Sequence, residues 1–114
     1  MSGTGASPGG WPSAPASAVA ELDPVIHGPK RLRIMTILHT AEVEFSRLQE
    51  RLGLAAPDLS KQMRQLIAAG YVKATKTGKG PGSATWYKLT RPGRRAYTHY
   101  VRQLRQLLDE LPVS

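Results

Sequence analysis

The residues that decide the fold are FSRLQERLGLAAPDLSKQMRQLIAAGYV, 45–72. Ser46 and Gln49 stand in the S-x-x-Q spacing of a capping box and predict that a helix opens there. Gly53 is placed where a left-handed C′ residue ends such a helix. Only Leu54, Ala55 and Ala56 separate it from Pro57, which suits the first turn of another helix that runs on to Gly70, again a C′ glycine. Two short helices joined by a tight glycine-containing turn make a helix-turn-helix pattern.

The second of these helices has two distinct sides. At about 100° per residue, Leu59, Met63, Leu66 and Ile67 share one arc and are expected to face a core. The opposite side holds Pro57, Lys61, Arg64, Gln65 and Ala68, with Asp58 and Ser60 on the flanks. Lys or Arg can donate to guanine O6 and N7, Gln can pair with adenine through two bonds, and Ser60 can reach a base or a phosphate. The helix N-terminus adds its positive dipole toward phosphate. A plain solvated face is the bland alternative, and the position directly after the tight turn argues against it. Asp58 fits stabilisation of the helix dipole.

Working outward, Leu32, Ile34, Met35, Ile37 and Leu38 after Pro29 predict a helix over 29–40, and Val43 to Phe45 allow only a one-bridge strand. On the other side, Tyr71 to Thr77 and Ala84 to Leu89 flank the breaker cluster GKGPGS at 78–83, which predicts a β-hairpin with Tyr87 and Leu89 on one face and Trp86 and Lys88 on the other. Thr90 can cap a last helix over 91–111, about 32 Å long at roughly 1.5 Å per residue. Along it Tyr97, Val101, Leu104, Leu108 and Leu111 repeat in 4-3-4-3 spacing, and Tyr100 and Leu107 widen the apolar side. The order predicts an α+β, mainly α fold: a winged helix-turn-helix with a three-helix core, a two-stranded wing and a long C-terminal dimerisation helix.

The chain has 114 residues and a net charge of +8, which allows one small domain. Cysteine is absent, so disulfide frameworks, thiolate zinc sites and cysteine nucleophiles are excluded together. Residues 1–21 are nearly all Gly, Ser, Ala and Pro and are expected to be a disordered tail, with Trp11 in it; residues 22–114 are read as the folded domain. Charge is uneven within that domain. Residues 22–55 hold five basic and four acidic residues, net +1, whereas 56–105 hold eleven basic residues against Asp58 alone, net +10. Such an excess calls for a polyanion, and the residues do not form the single amphipathic stripe that a lipid surface would favour. The apolar runs are far short of the roughly 20 residues that cross a bilayer. No cationic flank and apolar run mark a secretory signal, so the expected location is the cytoplasm.

LDPVIHGPKRLRIMTIL at 22–38, FSRLQERLGL, LSKQMRQLIAAGYV, the wing and YKLTRPGRRA at 87–96 together resemble winged-helix transcriptional regulators of the MarR and ArsR type. The resemblance implies a sequence-specific regulator of double-stranded DNA, acting as a repressor. It assigns base or phosphate contact to Ser60, Lys61, Arg64 and Gln65 on the reading helix, and backbone contact to Lys76 and Lys79 on the wing. It also implies a homodimer built by terminal helices, here through Tyr97, Tyr100, Val101, Leu104, Leu107, Leu108 and Leu111. A two-fold dimer would set two reading helices about 34 Å apart on a pseudo-palindromic site. A small hydrophobic effector between the first and last helices is a further expectation from the family.

Other chemistries find little support. His27, His39 and His99 fall in different elements without ligand spacing, so no metal or cofactor is expected. GKGPGS lacks the spacing of a phosphate loop. The carboxylate pairs Glu42/Glu44 and Asp109/Glu110 have no nearby histidine or nucleophile, which argues against an enzyme. The rival reading is a winged helix that binds a protein partner or RNA.

Overall fold

A computed structural model describes residues 22–111; residues 1–21, and with them the expectation of a disordered tail and the role of Trp11, lie outside the described residues. The elements among these residues are α1 (Pro29–Thr40), β1 (Val43–Glu44), α2 (Phe45–Leu52), α3 (Ala56–Ala68), β2 (Val72–Thr77), β3 (Ala84–Leu89) and α4 (Arg91–Glu110), with a 3-10 turn at Gly80–Gly82. Pro29 stands in the first turn of α1, whose Ile34, Met35 and Leu38 are buried. The expected α+β, mainly α, winged helix-turn-helix is what the chain forms.

The second helix opens differently from its sequence signal. Glu44 pairs with Trp86 across the sheet and is held extended, so α2 begins at the next residue, Phe45. That puts Ser46 inside the first turn. No side chain caps the helix, and the Ser46 hydroxyl donates to Glu44 Oε1 at 3.3 Å instead. The capping box is therefore not formed: strand pairing outweighs a cap worth about 1 kcal/mol. The end of α2 follows the sequence, with Gly53 at φ 67° and its N–H on the Gln49 carbonyl.

α3 starts at Ala56, one residue before Pro57, and has no polar cap at Ala55. It ends at a left-handed Gly70, where Gly70 N–H meets the Ile67 carbonyl and Tyr71 N–H the Leu66 carbonyl. Leu59, Met63 and Leu66 are buried as expected, but Ile67 is 40% exposed. About 80° round the helix from Leu59, it falls on a flank instead of on the core side.

The sheet is antiparallel in the order β1-β3-β2, so the wing hairpin gains β1 as a third strand. Tyr87 and Leu89 are buried against the helices while Trp86 and Lys88 face out. Thr90 then caps α4: its hydroxyl oxygen accepts from Gly93 N–H at 3.0 Å and donates to the Gly70 carbonyl at 2.6 Å, tying α4 to the end of α3. Thr90→Ala removes both bonds and is expected to cost about 1 to 2 kcal/mol, read as a lower urea midpoint with an unchanged m-value.

Residues 22–28 form a strap that no periodicity announced. Leu22 and Ile26 are buried in the common core, and Asp23 folds the strap by accepting from Val25 N–H and His27 N–H through its side chain and carbonyl. The Asp23 carboxylate also accepts from the Tyr71 hydroxyl, and that bond, with burial, pushes the Tyr71 phenol up to about 12. His27 Nδ1 and the Tyr100 hydroxyl are hydrogen-bonded at 2.8 Å. Tyr100 and Leu107, expected at a dimer interface, are buried in the chain's own core. The strap meets α4 at Tyr100, through His27. No helix among the described residues is long and apolar enough to cross a membrane.

Candidate nucleic-acid interface

On α3, Pro57, Lys61, Arg64, Gln65 and Ala68 are exposed and Ser60 is half-buried. Among the described residues neither Lys61 nor Arg64 enters an ion pair. Both are long cations free to reach outward.

Gln65 is placed otherwise. Its Oε1 accepts from Arg31 Nη1 at 2.5 Å, and the same nitrogen donates to Gln62 Oε1 at 3.0 Å. Gln62 Nε2 donates to Asp58 Oδ1 at 3.0 Å, and Lys30 Nζ pairs with Asp58 Oδ2 at 2.6 Å. A polar chain Lys30–Asp58–Gln62–Arg31–Gln65 thus clamps the start of α1 to one flank of α3. The hydrogen bonds from Lys30, then Gln62, hold the Asp58 carboxyl below its usual range. The carboxylate stays ionised, and the Lys30 ammonium beside it offsets its charge. Gln62 and Arg31 were not singled out from sequence. The available signal was spacing, since Gln62 stands three residues after Leu59 and four before Leu66, a polar residue at the core edge.

The wing supplies a second basic surface. Lys73, Lys76, Lys79 and Lys88 are exposed, and Lys73 lies directly across from Lys88. Like charges directly opposed destabilise a sheet slightly. An anion on that face would relieve the repulsion. Left-handed Gly78 and Gly80 turn the tip, with φ of 77° and 70°. Six residues of β2 carry Lys79 about 20 Å from the base of the hairpin. Trp86 stands exposed on the outer face beside the Lys73–Lys88 pair.

Among the described residues, the rest of the stripe on α4 is left partly or fully exposed. Tyr97, Val101 and Leu104 are half-buried, and Leu108 and Leu111 are 54% and 40% exposed. Between α4 and the end of α1 lies a groove of about 450 Å³ bordered by His39, Tyr97, Val101, Arg105 and Asp109. The His39 and Tyr97 rings meet at a tilt of 39° with centroids 4.8 Å apart, and Arg94 donates to the His39 carbonyl.

A helix-turn-helix whose second helix presents free cations, followed by a basic hairpin and a long terminal helix, defines a winged helix. Residues 30–108 match the winged helix DNA-binding domain family, and the chain belongs to that family. It is 31% identical over 78 residues to an uncharacterized protein of Methanocaldococcus jannaschii, covering 68% of this chain and 85% of that one. Among solved structures it is similar to the transcriptional regulator homologue protein from Pyrococcus horikoshii OT3, with 25% identity, a TM-score of 0.78 and coverage of 85% of this chain and 99% of that one. A transcriptional regulator assigned to the MarR family from Porphyromonas gingivalis W83 shares the fold at 18% identity, with a TM-score of 0.60 and coverage of 76% and 85%.

Proposed function

We propose that the chain is a sequence-specific regulator of transcription that binds double-stranded DNA as a homodimer and represses by occupying a pseudo-palindromic operator. The observation that carries this reading is the pair of unengaged cations, Lys61 and Arg64, on the outer face of a helix that directly follows the Gly53 turn. In the major groove Arg64 would read a guanine edge and Lys61 and Ser60 would hold phosphate, while Lys76 and Lys79 track the flanking backbone. The test is a salt titration of duplex binding. With Lys61, Lys76 and Lys79 on phosphates, log K should fall against log salt with a slope of roughly −2.7 per protomer. A salt-independent or undetectable duplex affinity would leave the protein-partner reading, and tighter binding to an RNA duplex of the same sequence would favour RNA.

Dimerisation is supported by the uncovered stripe on α4, which places exposed Leu108 and Leu111 next to the half-buried Val101 and Leu104. A second α4 packed along this stripe would remove these side chains from water. Leu108→Glu is the cleanest probe because Leu108 is more than half exposed, so the fold should survive it. Sedimentation should show the mass halved and operator binding weakened. A dimer of unchanged mass and affinity would rule out this face.

A further inference from the structure

We propose that Arg31 is a positioning residue that decides which base edge Gln65 reads, selecting guanine or thymine over adenine. The inference rests on the reading of α3 as the groove-reading helix and adds a residue from a different helix to it.

A guanidinium only donates, so any amide it meets must turn its carbonyl toward it. For Gln62 the orientation is fixed twice, because Oε1 accepts from Arg31 and Nε2 donates to Asp58, each at 3.0 Å. Gln65 Oε1 takes a hydrogen of the same Nη1 at 2.5 Å. Arg31 is itself anchored, with Nε donating to the Val25 carbonyl and Nη2 reaching the Pro24 carbonyl at 3.5 Å. The guanidinium is thus held from the strap, from buried Gln62 and from exposed Gln65 together. It is not free to swing aside when DNA approaches.

The consequence is chemical. Two-point pairing of glutamine with adenine needs Oε1 to accept from the adenine N6 amino group while Nε2 donates to N7. Here Oε1 already faces a fixed cation, and an adenine amino group brought to it would meet the guanidinium hydrogens. The Nε2 donors remain. They suit edges that only accept, namely guanine O6 and N7 or thymine O4, and the positive field of Arg31 favours those edges too. Gln65 is thereby converted from an adenine reader into a donor.

The experiment is selection of bound duplexes from a randomised pool by wild type, Gln65→Ala, Arg31→Leu and Gln65→Glu, with thermal melts of each protein. Loss of one positional preference in Gln65→Ala identifies the base pair that Gln65 faces. Wild type should prefer guanine or thymine there, and Arg31→Leu should shift that position toward adenine by on the order of tenfold. Because Arg31→Leu leaves buried Gln62 without its donor and could fail to fold, Gln65→Glu serves as an independent arm. It keeps a partner for Arg31 but has no N–H, so the guanine or thymine preference should disappear and cytosine, whose N4 donates, should rise. Wild type selecting adenine at that position, a folded Arg31→Leu with an unmoved profile, or Gln65→Glu retaining the wild-type preference would each overturn the inference while leaving DNA binding intact. No duplex binding by wild type would remove the functional reading and this inference with it.

Discussion

Gly93→Ala is expected to destabilise the protein by roughly 3 kcal/mol or more, the reverse of what helix propensity alone dictates. Gly93 lies in the first turn of α4, where alanine would ordinarily be favoured by about 1 kcal/mol. A Cβ at this position would stand 2.0 Å from the Tyr71 carbonyl oxygen, 2.8 Å from its carbon and 2.9 Å from its Cα. All three are backbone atoms, so no rotamer change relieves the clash. The Tyr71 carbonyl also accepts from Thr90 N–H at 3.0 Å, which makes the start of α4 and the base of the hairpin one backbone-to-backbone joint. Admitting a methyl group means prying that joint open and losing the Thr90 cap bonds beside it. For a domain of this size the melting temperature should drop by roughly 12 °C or more. A variant melting at or above the wild-type temperature would show that α4 does not pack on Tyr71 in this way.

Arg64→Ala is expected to act on recognition alone. The side chain is exposed and makes no ion pair among the described residues, so the melting temperature should not move. Binding to the preferred duplex should weaken by about 1 to 3 kcal/mol while binding to unrelated duplexes falls much less, because a base contact carries sequence information. Lys79→Ala should behave oppositely. A phosphate contact at the wing tip weakens all sequences alike and flattens the salt dependence by about one. The two substitutions remove the same unit of charge, so net charge by itself predicts equal effects. If Arg64→Ala and Lys79→Ala proved interchangeable across specific and unrelated duplexes, the assignment of α3 to the bases and of the wing to the backbone would be wrong.

The candidate site could be read from sequence only in part, for identifiable reasons. Lys61 and Arg64 were identifiable because Leu59, Met63 and Leu66 fix the core side of α3 and helical geometry then fixes the other side. Gln65 is exposed on α3, yet its engagement by Arg31, 34 residues earlier, follows from how α1 crosses α3. The same limit explains α4. Its stripe was visible at heptad spacing, but spacing does not say which part of a wide apolar face the chain covers by itself. The strap at residues 22–28 settles this by burying Ile26 and joining His27 to Tyr100, 73 residues away. The capping box failed through competition: Glu44 was claimed by Trp86 in the sheet before Ser46 could cap.

What the sequence determined unaided was therefore local: the helix stops at Gly53 and Gly70, the cap at Thr90, the alternation of Tyr87 and Leu89 against Trp86 and Lys88, and the confinement of the charge excess to residues 56–105. The stops, the cap and the alternation depend on residues within a turn or a strand of one another, and the charge excess is a matter of composition alone. The joint of Gly93 on Tyr71, the Arg31 clamp and the burial of Tyr100 and Leu107 came from the tertiary structure. They depend on the angles and heights at which elements cross, which are set by the packing of the whole core and are written in no single stretch of the chain.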